Sequence, residues 1–285
     1  MTLKQIIQAS SLPQLEVELL LSFILKKPRE FIIIHPEFAI NKLQEKKFLS
    51  LEDRRLNNFP IAYLMGHKEF YGLNFKVNKN VLVPRPETEM LVDIILEYAN
   101  SKPEKLDFID IGTGSGVIII SLAKTCKQKC PSKYQKSSFT ALDISTSALS
   151  VAKYNSKQQG LNTKIEFIKS DLLNSLKSKK LTGKNLIIAA NLPYLTVQQI
   201  KSEPSISQEP KLALEAGYDG LKYYRRLLRD LKPIKFASLF LILEIDPRQA
   251  QKIKELIKKQ WLKSKPKIIK DLSKNNRFAL VEIEQ

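Results

Sequence analysis

The four residues Asn191, Leu192, Pro193 and Tyr194 have the types and the spacing that could bind a planar amino group. They follow residues 186–190, a short, branched apolar run that predicts a buried strand. In open α/β sheets, ligands bind at the carboxyl ends of strands, where this tetrapeptide would lie. Its side-chain amide, its backbone carbonyl before a proline and its aromatic ring suit a flat, neutral NH2 group better than a phosphate or a metal ion.

A glycine loop after another predicted strand is the second chemical motif. The strand covers residues 106–110 and ends at Asp110, and the loop consists of Gly112, Thr113, Gly114, Ser115 and Gly116. Glycines let the backbone turn tightly and approach a ligand, and the start of the next helix favours an anionic group. The G-x-G-x-G spacing differs from the dinucleotide pattern, and the lack of a Walker-type Gly-Lys-Ser/Thr disfavours ATP hydrolysis. The loop alone is compatible with NAD, FAD or S-adenosylmethionine.

Two further acidic residues follow the next two predicted strands. Asp143 lies near the end of residues 139–144, where a carboxylate can accept both ribose hydroxyls of a nucleoside. Asp171 follows residues 165–168 and is placed to meet the adenine amino group, with Leu172 packing on the ring. Either aspartate alone would be an ordinary helix cap or turn residue. Together with the loop they describe an adenosine site, for which S-adenosylmethionine is the best fit.

The elements that must position these residues change in character along the chain. Residues 1 to about 58 predict helices, and residues 70–77 predict a β-hairpin around a glycine turn. From Arg85 onward, strands alternate with helices, the strands being 106–110, 139–144, 165–168, 186–190, 238–244 and 277–283. Such alternation predicts a mostly parallel, doubly wound α/β sheet. We therefore expect a small helical domain with a linker hairpin over residues 1–75 and a larger α/β domain over residues 76–285.

Several segments together resemble the HemK/PrmC family of peptide chain release factor N5-glutamine methyltransferases. Besides the glycine loop and the Asn-Leu-Pro-Tyr segment, residues 83–89 (VPRPETE), 209–214 (EPKLAL) and 217–221 (GYDGL) carry the resemblance, which runs over essentially the whole chain. It implies a class I S-adenosylmethionine-dependent methyltransferase fold, which is Rossmann-like, with a small N-terminal all-helical domain and a β-hairpin linker.

The resemblance also implies a reaction and a partner. The substrate would be the glutamine of the Gly-Gly-Gln motif in class 1 release factors, methylated on its side-chain amide nitrogen. The Asn191 side-chain oxygen and the carbonyl of Leu192 would accept the two amide N–H groups, and Pro193 and Tyr194 would form the wall behind them. The family usually has proline where this chain has Leu192, but a backbone carbonyl survives that exchange. After residue 244 the chain reads Ile-Asp-Pro, where the family more often has a glycine, which leaves the course of that loop open.

Three alternatives remain open at this point. A glutamine methyltransferase acting on a ribosomal protein would use the same chemistry. An exocyclic-amino methyltransferase acting on adenine or cytosine in nucleic acid would use a similar tetrapeptide, although the chain has no zinc finger or Arg-rich recognition helix. A non-enzymatic binding module is disfavoured because the loop, Asp143 and Asn191 are intact.

Composition sets the remaining expectations. The chain has 285 residues and a formal net charge of +18, carried by 38 lysines and nine arginines, a balance that argues against direct nucleic-acid binding and fits lysine-rich codon usage or an acidic partner. The two cysteines and two histidines do not form a metal-ligand pattern, so we expect no metal. The chain shows no apolar run long enough to span a membrane and no signal-peptide core, which predicts a cytoplasmic protein, and we expect a monomer.

Overall fold

The N-terminal part of the protein is a bundle of short helices. A computed structural model describes residues 1–102, 105–176 and 181–284. The bundle consists of α1 (Leu3–Ala9), α2 (Gln14–Leu25), α3 (Arg29–Ile34), α4 (Lys42–Leu56) and α5 (Ile61–Met65). Capping boxes start α1 at Thr2 and α4 at Asn41, since each side chain accepts the backbone N–H of a glutamine three residues later. A separate apolar core, which includes Leu3, Leu20 and Phe48, holds the bundle together.

A hairpin links this bundle to the rest of the chain. Strands β1 (His67–Phe70) and β2 (Leu73–Lys76) pair antiparallel, with Phe70 opposite Leu73. The predicted hairpin at residues 70–77 is confirmed, although its first strand starts earlier. Phe70 and Phe75 are buried in the core of the larger α/β part, so the hairpin is packed against that part.

The α/β part is built on a seven-stranded sheet of order β5-β4-β3-β6-β7-β9-β8. The strands are β3 (Asp107–Ile111), β4 (Ser138–Asp143), β5 (Ile165–Lys169), β6 (Asn185–Ala190), β7 (Ser238–Glu244), β8 (Lys267–Lys270) and β9 (Asn276–Glu284). Strands β3 to β7 pair in parallel, whereas β9 runs antiparallel to both β7 and β8. The expected mostly parallel α/β sheet is confirmed. Strand β8 was not predicted, because its four residues, two isoleucines flanked by lysines, carry little periodic signal.

Helices cover both faces of this sheet. They are α6 (Glu87–Ser101), α7 (Val117–Lys129), α8 (Pro131–Lys136), α9 (Thr146–Gln158), α10 (Val197–Ser202), α11 (Lys222–Leu231) and α12 (Ala250–Gln260). Two apolar cores result, one on each face of the sheet. Helix α6 was not predicted, although its first residues belong to the segment that carries the family resemblance.

The register of the central strands aligns their carboxyl ends. Ile111 of β3 lies opposite both Leu142 of β4 and Ala190 of β6, and Ala190 lies opposite Leu243 of β7. The residues that follow these strands therefore meet at one edge of the sheet. The strand order reverses between β3 and β6, which is where doubly wound folds bind their ligands.

Candidate active site

A cavity of about 320 Å³ opens at this edge of the sheet, within the range of small-molecule and cofactor pockets. Most of the predicted site residues line it, namely Gly112, Thr113, Gly114, Ser115, Asp143, Asp171, Leu172, Asn191, Leu192 and Pro193. Asp110, Gly116 and Tyr194 are not among the lining residues. The segment 79–85 after the hairpin also contributes to the wall, mainly through Lys79–Leu82, Pro84 and Arg85, a contribution that the sequence did not predict.

The glycine loop is fixed to the neighbouring strand. The backbone N–H groups of Gly112 and Thr113 donate to the Leu142 carbonyl at 2.8 and 2.9 Å. Gly116 has φ of +84°, and a Cβ there would lie 2.7 Å from Ile120 Cδ1, so the backbone passes too close to helix α7 for any larger residue.

Asp110 is fully buried beneath the loop. The Thr113 hydroxyl donates to its Oδ2 at 2.6 Å, and its Oδ1 has no hydrogen-bond partner among the described residues. Burial raises the pKa of Asp110 to about 7, although the Thr113 hydrogen bond acts in the opposite direction. A buried acidic group with a raised pKa therefore lies directly beneath the loop.

Asp143 is held by two backbone amides. Its Oδ2 accepts from the Gly114 N–H at 2.9 Å, and its Oδ1 accepts from the Ser145 N–H at 2.8 Å. Burial raises its pKa, and these two bonds oppose the shift. Each carboxylate oxygen keeps a further lone pair, so the group can still accept from a vicinal diol.

Asp171 has a partner that the sequence did not reveal. Arg226 of α11 lies 2.6 Å from its Oδ2, and both residues line the cavity. Leu172 has φ of +51°, which is uncommon for a residue with a side chain and turns the chain back toward the cavity. The 55 residues between Asp171 and Arg226 explain why no local pattern could have paired them.

The side chain of Asn191 is tied to two other elements. Its Nδ2 donates to Thr88 Oγ1 of α6 at 3.3 Å, and the Thr88 hydroxyl donates to Glu244 Oε2 at the end of β7 at 2.8 Å. Thr88 belongs to the 83–89 segment, which pointed to the family but gave Thr88 no role. Within the described residues, the Asn191 side chain makes its hydrogen bond through Nδ2, and Asn191 lines the cavity.

Leu192 is buried, and its side chain packs under the glycine loop. A Cβ on Gly112 would lie 2.9 Å from Leu192 Cδ2, so the glycine makes room for this leucine. The Tyr224 hydroxyl lies 3.4 Å from the Leu192 carbonyl and closer to the Glu244 carbonyl. The phenol has a single proton and donates it mainly to the closer Glu244 carbonyl, and the Leu192 carbonyl, with two lone pairs, can still accept from a further donor.

The backbone at the end of the tetrapeptide is held by Gln249 and by the two late segments, 209–214 and 217–221, that carry the family resemblance. Gln249 Nε2 donates to the Tyr194 carbonyl at 2.8 Å, and Gly220, with φ of +71°, lies so close to that carbonyl that a Cβ would overlap it. The neighbouring Leu195 pairs with the backbone of residues 214 and 216. Burial raises the pKa of the Tyr194 phenol, which therefore stays protonated.

Glu209 joins the wall segment to the same late loop. It is 4% exposed, and its carboxylate accepts from the Val83 N–H at 3.0 Å and from the Arg85 guanidinium. Truncating Glu209 would leave the Val83 N–H without this acceptor, so residues 83–85 depend on the 209–214 segment for their position.

The described parts of the chain show no helix long and apolar enough to cross a membrane. Within the same residues, His, Cys, Asp and Glu side chains form no group that could hold a metal ion. Neither Cys126 nor Cys130 is in a disulfide.

Comparison with known protein families assigns both parts of the chain. Residues 102–281 match the family model described as a methyltransferase domain, and residues 3–66 match the one described as the PrmC N-terminal domain.

Relatives and solved structures agree with this assignment. The release factor glutamine methyltransferase of Coxiella burnetii is 36% identical, and the match covers 89% of this chain and 86% of that protein. The Bacillus subtilis protein of the same description is 33% identical over 91% of this chain and 88% of its own. The solved N-terminal domain of human METTL16 in complex with SAH matches with a TM-score of 0.51 and 17% identity, covering 92% of this chain and 93% of that one. At that identity, the likeness shows the fold.

Proposed function

Since the chain belongs to the family of release factor glutamine methyltransferases, which are S-adenosylmethionine-dependent enzymes, we propose that it methylates a glutamine. The target is the side-chain amide nitrogen of the Gly-Gly-Gln glutamine in class 1 release factors. The observation that carries this proposal is the pair of acceptors on adjacent residues at the wall of the cavity, Asn191 Oδ1 and the Leu192 carbonyl, which keeps a lone pair beside its long contact with the Tyr224 hydroxyl.

The residues around the glycine loop fit the cofactor. Asp143 has lone pairs for the ribose hydroxyls, and Asp171 with Leu172 lies where the adenine would be read. Asp110, buried beneath the loop and not lining the cavity, would act on a cationic amino group through its charge or through one water. When bound, S-adenosylmethionine supplies an electrophilic methyl group.

The tetrapeptide would act by positioning. A glutamine amide nitrogen is a poor nucleophile because its lone pair is delocalised into the carbonyl. Asn191 Oδ1 and the Leu192 carbonyl would accept its two N–H bonds, orient the nitrogen toward the methyl group and support the positive charge that develops there. The nitrogen would gain an N–C bond as the bond between that methyl carbon and the cofactor sulfur breaks, and it would then release one proton to solvent. No covalent intermediate with the protein and no strong general base is required.

The remaining parts of the chain would recognise the body of the substrate. Residues 1–75, which we treat as the N-terminal domain and linker, expose several large apolar side chains on the helical bundle, namely Leu15, Ile33, Ile34, Phe38, Leu43, Leu49 and Leu56. We propose that this surface contacts the release factor while residues 76–285, acting in a single copy, hold the cofactor and the glutamine. The net charge of +18 would favour an acidic partner.

The decisive experiment is a methyl-transfer assay with mass spectrometry. The protein is incubated with S-adenosylmethionine and a purified class 1 release factor, and the Gly-Gly-Gln peptide is examined for one added methyl group on the glutamine. A release factor whose glutamine is replaced by asparagine is the matched control and should stay unmodified. Transfer to ribosomal protein, RNA or DNA in place of that glutamine would overturn the proposal.

A further inference from the structure

We propose that Thr88 and Glu244 are positioning residues that fix the direction of the Asn191 side-chain amide, so that its oxygen and not its NH2 group faces the substrate. The proposal rests on the acceptor role given to Asn191 above. It concerns two side chains that are distant from Asn191 in the sequence and act through it, of which Thr88 also lines the cavity.

The direction follows from a count of protons along the network. An ionised carboxylate can only accept, so the Thr88 hydroxyl, 2.8 Å from Glu244 Oε2, must donate to it. That hydroxyl has one proton, and its oxygen can therefore only accept from Asn191. Nδ2 is the donor of the amide, and it lies 3.3 Å from Thr88 Oγ1. Since Thr88 and Glu244 are 2% and 1% exposed, water does not compete for these bonds.

The direction of the amide decides whether the site can work. An asparagine amide is nearly symmetric in shape, with an acceptor at one tip and two donors at the other. The reversed amide would present N–H groups to the N–H groups of the substrate. A fixed network removes that unproductive state and spares the site the cost of ordering the side chain at each turnover.

The surroundings of Glu244 make this direction depend on pH. Burial raises the pKa of Glu244 to about 7; Arg277 on β9 and Arg85 in the wall segment oppose the shift, whereas Glu87 on α6 adds to it. Two phenols complete its surroundings: Tyr224 of α11 donates to the Glu244 backbone carbonyl, and Tyr194 of the tetrapeptide lies close enough to interact electrostatically. Once protonated, Glu244 can donate to Thr88, whose own proton can then turn toward Asn191 Oδ1. Turnover should therefore fall as the pH drops below the pKa of Glu244.

Kinetics of matched Thr88 variants test the network. Thr88→Val keeps the shape and removes the hydroxyl, and we expect kcat to fall about 10- to 100-fold with S-adenosylmethionine affinity nearly unchanged. Thr88→Ser restores the hydroxyl and should recover most of the turnover. Thr125→Val, at a buried threonine on α7, is the control for loss of a buried hydroxyl elsewhere. Equal kcat in Thr88→Val and wild type would overturn the proposal, as would a Thr88→Ser variant no better than Thr88→Val.

The pH profile separates positioning from a merely structural role. Wild-type kcat should show an acid limb, and Glu244→Gln, which cannot ionise, should lose that limb between about pH 5.5 and 8. An unchanged acid limb in Glu244→Gln would overturn the proposal.

A spectroscopic readout keeps the test independent of turnover. The Asn191 side-chain NH2 resonances, assigned from their absence in Asn191→Asp, should shift and exchange faster with water in Thr88→Val and stay in place in Thr125→Val. Unshifted resonances in Thr88→Val overturn the network even if no substrate is ever methylated. Conversely, a wild-type protein that fails to methylate the release factor, while these resonances shift, contradicts the proposed function alone.

Discussion

The two halves of the cavity are built over very different distances along the chain. The cofactor half consists of residues 110–116 with Asp143 and Asp171, and the substrate half consists of residues 191–194 with Thr88 and Glu244. In the cofactor half, hydrogen bonds join positions three, 29 and 55 residues apart, as in Thr113–Asp110, Gly114–Asp143 and Arg226–Asp171. In the substrate half, they join positions 103 and 156 residues apart. The glycine loop of the cofactor half is local in the sequence, whereas the substrate half is assembled from α6, β6 and β7. Substitutions in one half should therefore impair cofactor binding or turnover without impairing the other.

Removal of the Asn191 side-chain amide should have the largest effect on turnover and should leave cofactor binding nearly unchanged. For Asn191→Ala we expect kcat to fall by about 10² to 10³, because one of the two acceptors for the developing charge is lost. The cofactor affinity, measured by calorimetry with S-adenosylmethionine, should change by no more than about threefold, since Asp143 and the loop amides are untouched. Undiminished turnover in the variant, or a matching loss of cofactor affinity, would show that the halves are not separate.

Gly220→Ala should damage the substrate half through the backbone. The new Cβ would overlap the Tyr194 carbonyl and the Gln249 amide, and the residue would also be forced to keep φ of +71°. We expect about 3 kcal/mol of lost stability and a large loss of kcat, measured by denaturant unfolding and methyl transfer.

Gly160→Ala is the matched control for this backbone effect. Gly160 has φ of +69° but nothing within 4 Å of a built Cβ, so only the strain of positive φ applies, about 1 kcal/mol. If the two variants lose the same stability, the close approach of Gly220 to the tetrapeptide is not what requires a glycine there.

The same contrast explains how much could be predicted from the sequence. The glycine loop, its strand and the helix after it lie within one stretch of chain, and the acids that close the next strands lie at fixed places in the strand–helix alternation. The α/β fold and the resemblance to the family were therefore predicted and are confirmed by the sheet order and by the relatives.

In the substrate half, residues 191–194 were predicted, but their partners Thr88 and Glu244 were not, because these contacts are long-range and both residues look ordinary in the sequence. Thr88 reads as one more residue at the start of a helix, and Glu244 as the polar end of an apolar strand. The cofactor half has one such partner too: Arg226 reads as a charge on an amphipathic helix, but the fold places it 2.6 Å from Asp171. Periodicity reports which face of an element is buried, but it does not report which polar groups meet across two elements.

Asp143→Asn should weaken the cofactor half with a moderate effect. The asparagine keeps the shape but has one acceptor where the carboxylate has two, and it loses the charge that strengthens bonds to hydroxyls. We expect cofactor affinity to fall about 10- to 100-fold, with kcat at saturating cofactor within about threefold of wild type. Calorimetry and saturation kinetics give the two numbers. A fall in kcat with unchanged affinity would reverse the assignment of Asp143 to the cofactor half.

The smallest expected effect is on the pH dependence of stability, to which Asp110 of the cofactor half and Glu244 of the substrate half contribute separately. Burial raises the pKa of Asp110 from its ordinary value of 3.8 to about 7. Between these two pH values Asp110 is protonated in the folded protein, whereas it is already ionised in the unfolded chain. Between these values the unfolded state binds fewer protons, so the free energy of unfolding should fall as pH rises through this window and level off above 7. Asp110→Asn should flatten that slope, and Glu244→Gln should flatten the similar slope between 4.5 and about 7 that Glu244 contributes.

Ligand binding then tells the two buried acids apart. A cationic amino group near Asp110 favours the ionised form, so cofactor affinity should weaken as pH falls below about 7, and Asp110→Asn should remove that dependence. Glu244→Gln should leave the pH dependence of cofactor affinity intact and change only the pH dependence of kcat. Calorimetric titrations at about pH 6 and 8 on both variants measure this. If both substitutions altered cofactor affinity in the same way, the two acids would report on one coupled site, and the division into a local cofactor half and an assembled substrate half would be wrong.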